Sequence, residues 1–451
     1  MEEGFFPSLM LNPSGYWFYR IMNKAPFHRR IIPIIFTIVF FAVAPALLFY
    51  AAGYRWNPKK GQVERNGTVI FDTQPTGASI TIDGRNISQK TPITIQDMTP
   101  GLHSFGLSKN GYHDWTKSLD VYPEKVTFVD DVWLWKNATS TLLYPTDASI
   151  LSMSPDGAKL FLASASPTRG TIFDLASSNA TDLTFKDGYT PAEKLEWSEN
   201  SRFLLSGTFK TDKQNWIIDA FGTHQPMLLM SADYRWSGTD LVGNDGQTQT
   251  FLRTSDYGLS RNPLAKDQVD AMATAEIRHA SGTSDLVYVS LDQPDRGLVL
   301  PQGNWKIESV LKDHAVLNDG NRWLSLEFTK DKPEYHTADG DRLRSITVKK
   351  QIMTLLVNGS ELWIWNPLAE PELIQRQSED IVDAAWHREG SNVFFATDKG
   401  IFALGLDARD RRLITQLDSF DDIKGLSLES KRLLILGRKG NESGVWSLDV
   451  E

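Results

Sequence analysis

The chain has no cysteine. That excludes disulfides, thiolate metal sites and a cysteine nucleophile. It leaves the compartment open, because large domains do not need disulfides even where these are permitted. Histidine is scarce as well, with eight scattered residues, which argues against a His-rich metal site. The sequence contains no Gly-x-Ser-x-Gly elbow, no His-Glu-x-x-His pair and no phosphate-binding Gly-Lys loop. An excess of positive charge is also missing. The net charge of −9 gives no basic face for nucleic acid, and diffuse acidity of this kind keeps a surface soluble. No catalytic, cofactor-binding or metal-ligating residue is therefore assigned, and no cofactor is expected.

What is present points to a large folded protein. A chain of 451 residues exceeds one ordinary core, so two or more domains are expected. A hydrophobic content of 41% with 23% charged residues fits a globular chain, and 14 Trp with 23 Phe call for large buried aromatic surfaces.

One stretch lacks charge altogether. From Ile31 to Ala52 every residue is uncharged, and most are Ile, Phe, Val, Leu or Ala. At about 1.5 Å per residue a helix of this length spans roughly 33 Å, enough for a hydrocarbon core of about 30 Å. Pro33 falls in the first turn, where its missing N–H costs little, and Pro45 is tolerated as a kink in a membrane span. His28, Arg29 and Arg30 bound the run on one side. Tyr50, Tyr54 and Trp56 offer an aromatic belt on the other, followed by Arg55, Lys59 and Lys60. A buried core helix fits poorly with a stretch that is apolar on all faces. A cleaved signal fits poorly with its length and with Pro45 directly after Ala42-Val43-Ala44. The expectation is a transmembrane helix at 31–52 that contacts the lipid bilayer, with a short cytoplasmic tail at 1–30. The large remainder is expected on the extracytoplasmic side of the cell membrane, joined through a polar juxtamembrane linker at 53–66.

After the linker the hydrophobic period becomes two. Thr68–Asp72, Ser79–Asp83, Leu102–Ser108, Lys117–Val121 and Val126–Trp135 read as strands, with turn signals at Asp83-Gly84 and Pro100-Gly101. The order Pro75-Thr76-Gly77-Ala78, Ile80-Thr81-Ile82-Asp83-Gly84, Thr91-Pro92, Pro100-Gly101 and Lys109-Asn110-Gly111-Tyr112 resembles the PEGA domain. That family is a small β-sandwich module common in prokaryotic envelope and surface proteins. The resemblance covers about residues 67–135. Thr76 stands where the naming motif has Glu, and Gln89-Lys90 precede Thr91-Pro92 where Gly is usual. The resemblance implies an extracytoplasmic binding or spacer module and carries over no catalytic residue.

From about residue 140 a longer repeat sets in. Leu151–Phe161, Leu195–Leu205, Tyr234–Gly238 and Ala384–Phe395 each read as a short strand, a polar turn and, where the phrase runs on, an apolar strand; Ile277–Val287 and Leu426–Leu436 are weaker copies. The anchors Met153, Trp197, Trp236, His279, Trp386 and Leu428 are spaced by about 40 residues or multiples of it, the length of a four-stranded propeller blade. The gap between His279 and Trp386 has room for one or two degraded copies, near Val310 and Val348. Gly170–Leu175, Asn215–Ala220, Glu361–Trp365, Gly400–Leu406 and Gly444–Val450 recur as later strands. The phrase at Ser154 resembles the Ser-Pro-Asp-Gly repeats of WD-like propellers. A seven- or eight-bladed ring over 140–451 is expected, with Trp at the end of a first strand wedged between neighbouring blades. A stack of β-sandwiches is the structural competitor.

Four features invite a chemical reading. His387 follows Trp386 on a turn and is read as structural or solvated. Asp339-Gly340-Asp341 and Asn318-Asp319-Gly320 look like calcium-loop fragments but lack the acidic spacing and closing Glu of an EF-hand, so blade turns are the expectation. Trp133-Leu134-Trp135 and Trp363-Ile364-Trp365 place two Trp on one strand face, a sugar platform or, as expected here, core. Carboxylate pairs for glycoside hydrolysis are not singled out among 56 acidic residues. The resulting reading is a mainly β, membrane-anchored, non-catalytic envelope protein whose module and propeller bind or scaffold a protein or a cell-envelope glycan, with no nucleic-acid partner. The alternative is a propeller-type envelope hydrolase acting on polysaccharide or peptide.

Overall fold

A computed structural model describes residues 27–57, 61–165, 168–185, 194–207, 215–229, 233–272, 275–280, 285–292, 297–310, 314–320, 322–327, 334–340, 342–348, 351–366 and 369–451. Residues 1–26 of the expected tail, with Lys59, Lys60 and Asp341, lie outside the described residues.

Helix α1 (Phe27–Ala51) contains both Pro33 and Pro45. Its stretch Ile31–Ala51 has a mean hydropathy of 2.7, and none of it is buried by the protein. Among the described residues it is the one helix long and apolar enough to cross a membrane. The Thr37 hydroxyl donates to the Pro33 carbonyl at 2.8 Å, so the helix absorbs its own polar side chain.

The segment after α1, expected to be a polar linker, is instead a two-stranded hairpin of Tyr54–Asn57 and Gln62–Arg65. Trp56 stands opposite Val63 and Tyr54 opposite Arg65. These residues recur with period two, a strand signal that the surrounding charges hide in the composition. The Arg65 guanidinium lies 4.7 Å from the centre of the Tyr54 ring, in cation–π range.

The small module has two sheets. One orders Arg85–Lys90, Ser79–Ile82, Gly101–Ser108 and Trp115–Val121; the other orders Ile93–Met98, Gly67–Gln74 and Val126–Trp133. Strands Arg85–Lys90 and Ile93–Met98 were not anticipated. The first is polar along its length and mostly exposed, so it carries no apolar alternation to read. Asp83 (φ 50°) and Gly84 (φ 76°) form the hairpin turn that their dipeptide signals. Thr91 earns its place beside Pro92: its hydroxyl is within hydrogen-bond distance (2.5 Å) of the Thr73 hydroxyl and accepts from Ala78 N–H at 3.0 Å.

The chain divides into two compact units, and the division runs through this module. One comprises Met1–Asp72, Pro92–His103 and Ser118–Asp130; the other comprises Thr73–Thr91, Ser104–Lys117 and Asp131–Glu451.

Within the second unit, eight four-stranded antiparallel sheets follow one another among the described residues. Blade 1 spans 150–183, blade 2 194–229, blade 3 233–263, blade 4 268–299, blade 5 306–339, blade 6 342–376 and blade 7 383–419. Blade 8 takes three strands from 422–449 and its fourth from Thr141–Pro145, which pairs with Glu442–Asp449. The first propeller strand thus completes the last blade and closes an eight-bladed ring. First strands touch between blades 4 and 5, 6 and 7, 7 and 8, and 8 and 1, which places them around the axis.

Apolar side chains fill the seams. Phe161, Leu204 and Trp216 join blades 1 and 2, Phe203 and Tyr234 blades 2 and 3, and Ile277 and Trp305 blades 4 and 5. Leu356 and Ala338 join blades 5 and 6, Leu355 and Trp386 blades 6 and 7, Phe394 and Trp446 blades 7 and 8, and Phe173 and Leu434 blades 8 and 1. Trp197 and Trp236 are wedges of the expected kind. Each indole N–H reaches back to the first strand of the preceding blade, at Ser152 Oγ (3.0 Å) and Glu196 O (2.9 Å).

The repeated turn has one geometry in three blades. Ser154, Ser198 and His387 each donate their N–H to a carbonyl five residues on, at Lys159, Phe203 and Asn392. Their own carbonyls accept from Gly157, Ser201 and Gly390. The copy at Ile277–Val287 is out of phase. It covers the second and third strands of blade 4, because the first strand, Gln268–Met272, lacks an aromatic anchor. The long gap before Trp386 holds two complete blades, 5 and 6.

Candidate binding site

A polar cavity of about 260 Å³ opens where blades 2, 3 and 5 converge. Asp233, Tyr234 and Arg235 come from the start of blade 3's first strand. Asn304, Lys306 and Glu308 come from the corresponding position in blade 5, and Asn318, Asp319 and Gly320 from its second turn. Period two explains the blade 5 part of the set: Ile307 is buried in the seam, and Lys306 and Glu308 on either side of it line the cavity.

Charges at this mouth are already paired. Arg235, 5% exposed, grips Asp270 of blade 4, 2% exposed, through two parallel bonds of 2.7 and 2.6 Å. Its second guanidinium nitrogen also donates to Ala271 O at 2.8 Å. Asp270 further accepts from Ile307 N–H of blade 5 (2.9 Å) and from the Asn244 amide (3.0 Å). A bidentate pair of this kind fixes both partners in position, and the extra donors satisfy the remaining lone pairs. Lys306 of blade 5 pairs with Asp233 of blade 3, spanning blade 4. Asp383 of blade 7 repeats the Asp270 device by accepting from Leu426 N–H of blade 8 at 3.0 Å. The mouth therefore presents fixed, complementary charge beside the amides of Asn304 and Asn318. Such a surface is suited to hydrogen-bonding a polar partner.

Residues read as chemical candidates have structural surroundings. His387 is fully buried; its ring meets Trp133 (4.2 Å) and Trp135 (5.5 Å), and its Nε2 lies 3.1 Å from Glu451. Burial holds its pKa below the ordinary value, against the opposing pull of Glu451. Trp133 and Trp135 stack at 6.0 Å within the core shared by blades 7 and 8, and Trp365 is fully buried, so neither pair forms an exposed sugar platform. Asp319 is committed to Arg322, and Asn318 Oδ1 caps the turn by accepting from Gly320 N–H at 2.7 Å. Gly320, at φ 110°, takes a conformation that L side chains rarely adopt. Gly340 O accepts from the Trp323 indole at 3.1 Å. No group of three His, Asp or Glu residues suited to a metal occurs among the described residues.

One contact went unread in the sequence. Lys117, 3% exposed, donates to Asp407 O (2.6 Å) and Arg409 O (3.0 Å) and lies 3.2 Å from the Asp407 carboxylate. Burial lowers its pKa more than Asp407 raises it. This joins the Ser104–Lys117 segment to a loop of blade 7 inside one compact unit, and the bonds His113 N–H to Trp135 O (2.8 Å) and Asn137 N–H to Gly111 O (2.8 Å) join it to the chain just before the propeller.

Residues 66–132 match the PEGA domain family. No curated protein sequence matches the chain. Among solved structures, the chain is similar to the C-terminal WD40 domain of Sif2, at 10% identity and a TM-score of 0.43, over 68% of this chain and 98% of that one. It is also similar to the Dos1 propeller, at 14% identity and a TM-score of 0.42, over 70% and 95% of the two chains. A third is the Cps50 (Swd1) β-propeller domain of Myceliophteria thermophila, at 9% identity and a TM-score of 0.40, over 69% and 100%. A PEGA module followed by a propeller supports a binding or scaffolding role in general.

Proposed function

We propose that this chain is a single-pass membrane protein that holds a non-catalytic binding platform beside a prokaryotic cell membrane. Helix α1 anchors it, the tail before residue 31 is cytoplasmic, and the region from the module onward is extracytoplasmic. The module at 67–135 acts as spacer, and the propeller at 140–451 engages an envelope protein or glycan at the mouth formed by blades 2, 3 and 5. The observation that carries this reading is the pairing of three aspartates at and behind the mouth. Asp233, Asp270 and Asp319 are each held by a cation, which suits fixed recognition better than proton transfer. Full-length protein in detergent micelles, incubated with solubilised envelope proteins and with cell-wall polymer, tests the proposal. Specific capture is expected, and Lys306→Glu, a half-exposed site, should abolish it while its melting curve still shows a cooperative folded protein. No capture by the parent chain, or equal capture by the variant, contradicts the assignment.

A further inference from the structure

The end of the small module nearest α1 carries apolar side chains that no strand pattern requires to be exposed. Leu102 is 66% exposed, Tyr122 54% and Val126 43%; they lie in or beside the turns at 99–100 and 122–125. These turns are tied closely to the helix end. Asn66 N–H donates to Gly53 O at 3.2 Å, two residues past α1. Asn66 O accepts from Glu124 N–H (3.1 Å), and the Asn66 amide donates to Asp97 O (3.0 Å). Its neighbours reinforce the tie: Arg65 pairs with Glu124 at 3.1 Å, and Thr68 N–H donates to Lys125 O at 3.0 Å. At Gly67 an added Cβ would stand 2.5 Å from Tyr122 O and 2.6 Å from a Val121 methyl, so only glycine permits this approach.

A helix that ends in a bilayer delivers whatever is fixed to its last turn to the headgroup layer. Aromatic and aliphatic side chains with a nearby cation are the chemistry that layer accepts. Lys125, whose ammonium lies 5.6 Å from the Tyr122 ring centre, supplies the cation, and Trp56 (62% exposed) supplies a further aromatic. We infer that the turns bearing Leu102 and Tyr122 insert into the lipid headgroup region, so that the module rests on the membrane surface and is not held clear of it. This rests on the reading of α1 as a membrane span.

The absence of native cysteine makes the test direct. Single-cysteine variants Leu48→Cys, Leu102→Cys, Tyr122→Cys and, as an exposed reference, Asn86→Cys are spin-labelled in the full chain. Each is reconstituted in nanodiscs of phosphatidylcholine and phosphatidylglycerol, and collision with oxygen is compared with collision with a water-soluble nickel chelate. Melting curves confirm that each variant is folded. Leu48 should read as deep in lipid, and Leu102 and Tyr122 should show a several-fold lower nickel accessibility than Asn86. If Leu48 is deep while Leu102 and Tyr122 match Asn86, the inference is overturned and the anchor stands. If Leu48 itself is nickel-accessible, the anchor reading fails and the inference with it.

Discussion

Phe36 and Phe394 have the same side chain and opposite surroundings. In α1, Phe36 is 74% exposed, Phe41 70% and Leu48 69%, whereas Phe394, Phe395 and Leu404 of blade 7 are fully buried. Both regions are rich in large apolar residues, so composition does not separate them. Periodicity does. The blade strands belong to sheets that bury residues against neighbouring sheets on either side. The helix is apolar all round and none of Ile31–Ala51 is buried by the protein, a state that water penalises and lipid does not. The propeller supplies its own apolar solvent, and the helix requires one from outside.

Substitutions in full-length protein held in detergent sharpen that contrast. Phe394→Ala should cost the propeller about 3–5 kcal/mol in chemical denaturation, since a cavity opens where blades 7 and 8 meet. Arg235→Met should cost a comparable ~3–5 kcal/mol for a different reason: Asp270 would be left buried without its counter-charge. The double variant Arg235→Met/Asp270→Leu separates the two causes. It should recover most of the loss but retain about 1–3 kcal/mol, because Ile307 N–H loses its acceptor. Full loss in the double variant would mean that packing, and not charge, holds that seam.

A pH titration gives a smaller effect. The His387 pKa is depressed from 6.5 chiefly by burial, so below that pH the unfolded chain takes up a proton that the folded chain refuses. Stability from this residue is complete above pH 6.5 and falls as the pH drops toward the folded value. Melting temperature against pH should show this decline, and His387→Gln should flatten it. Smallest of all, Leu48→Ala should leave the unfolding midpoint unchanged within about 0.5 kcal/mol, because that side chain is 69% exposed. A larger loss would show that α1 is part of a protein core.

Elements with local periodicity were readable in the sequence. Trp197, Trp236 and Trp386 stand at or next to the end of a short strand before a polar turn, and each marks the first strand of a blade. Strand Arg85–Lys90 was not readable, because it is held by its partner strand and not by an apolar face of its own. The mouth was hidden for a related reason. Arg235 and Asp270 stand 35 positions apart in neighbouring blades, so only ring geometry brings them together. A faint signal existed: Asp270-Ala271 and Asp383-Ala384 both put an Asp-Ala pair in a first strand, where each carboxylate binds the next blade's backbone. Lys117 gave no signal, since its partners are backbone carbonyls of a distant loop and the Asp407 carboxylate.

The need of α1 for lipid is most directly examined by alkaline carbonate extraction of membranes from cells that express the full chain. Expected is retention of the protein in the membrane pellet, and its release when residues 31–51 are deleted. Recovery of the intact, full-length chain in the alkaline supernatant would contradict it.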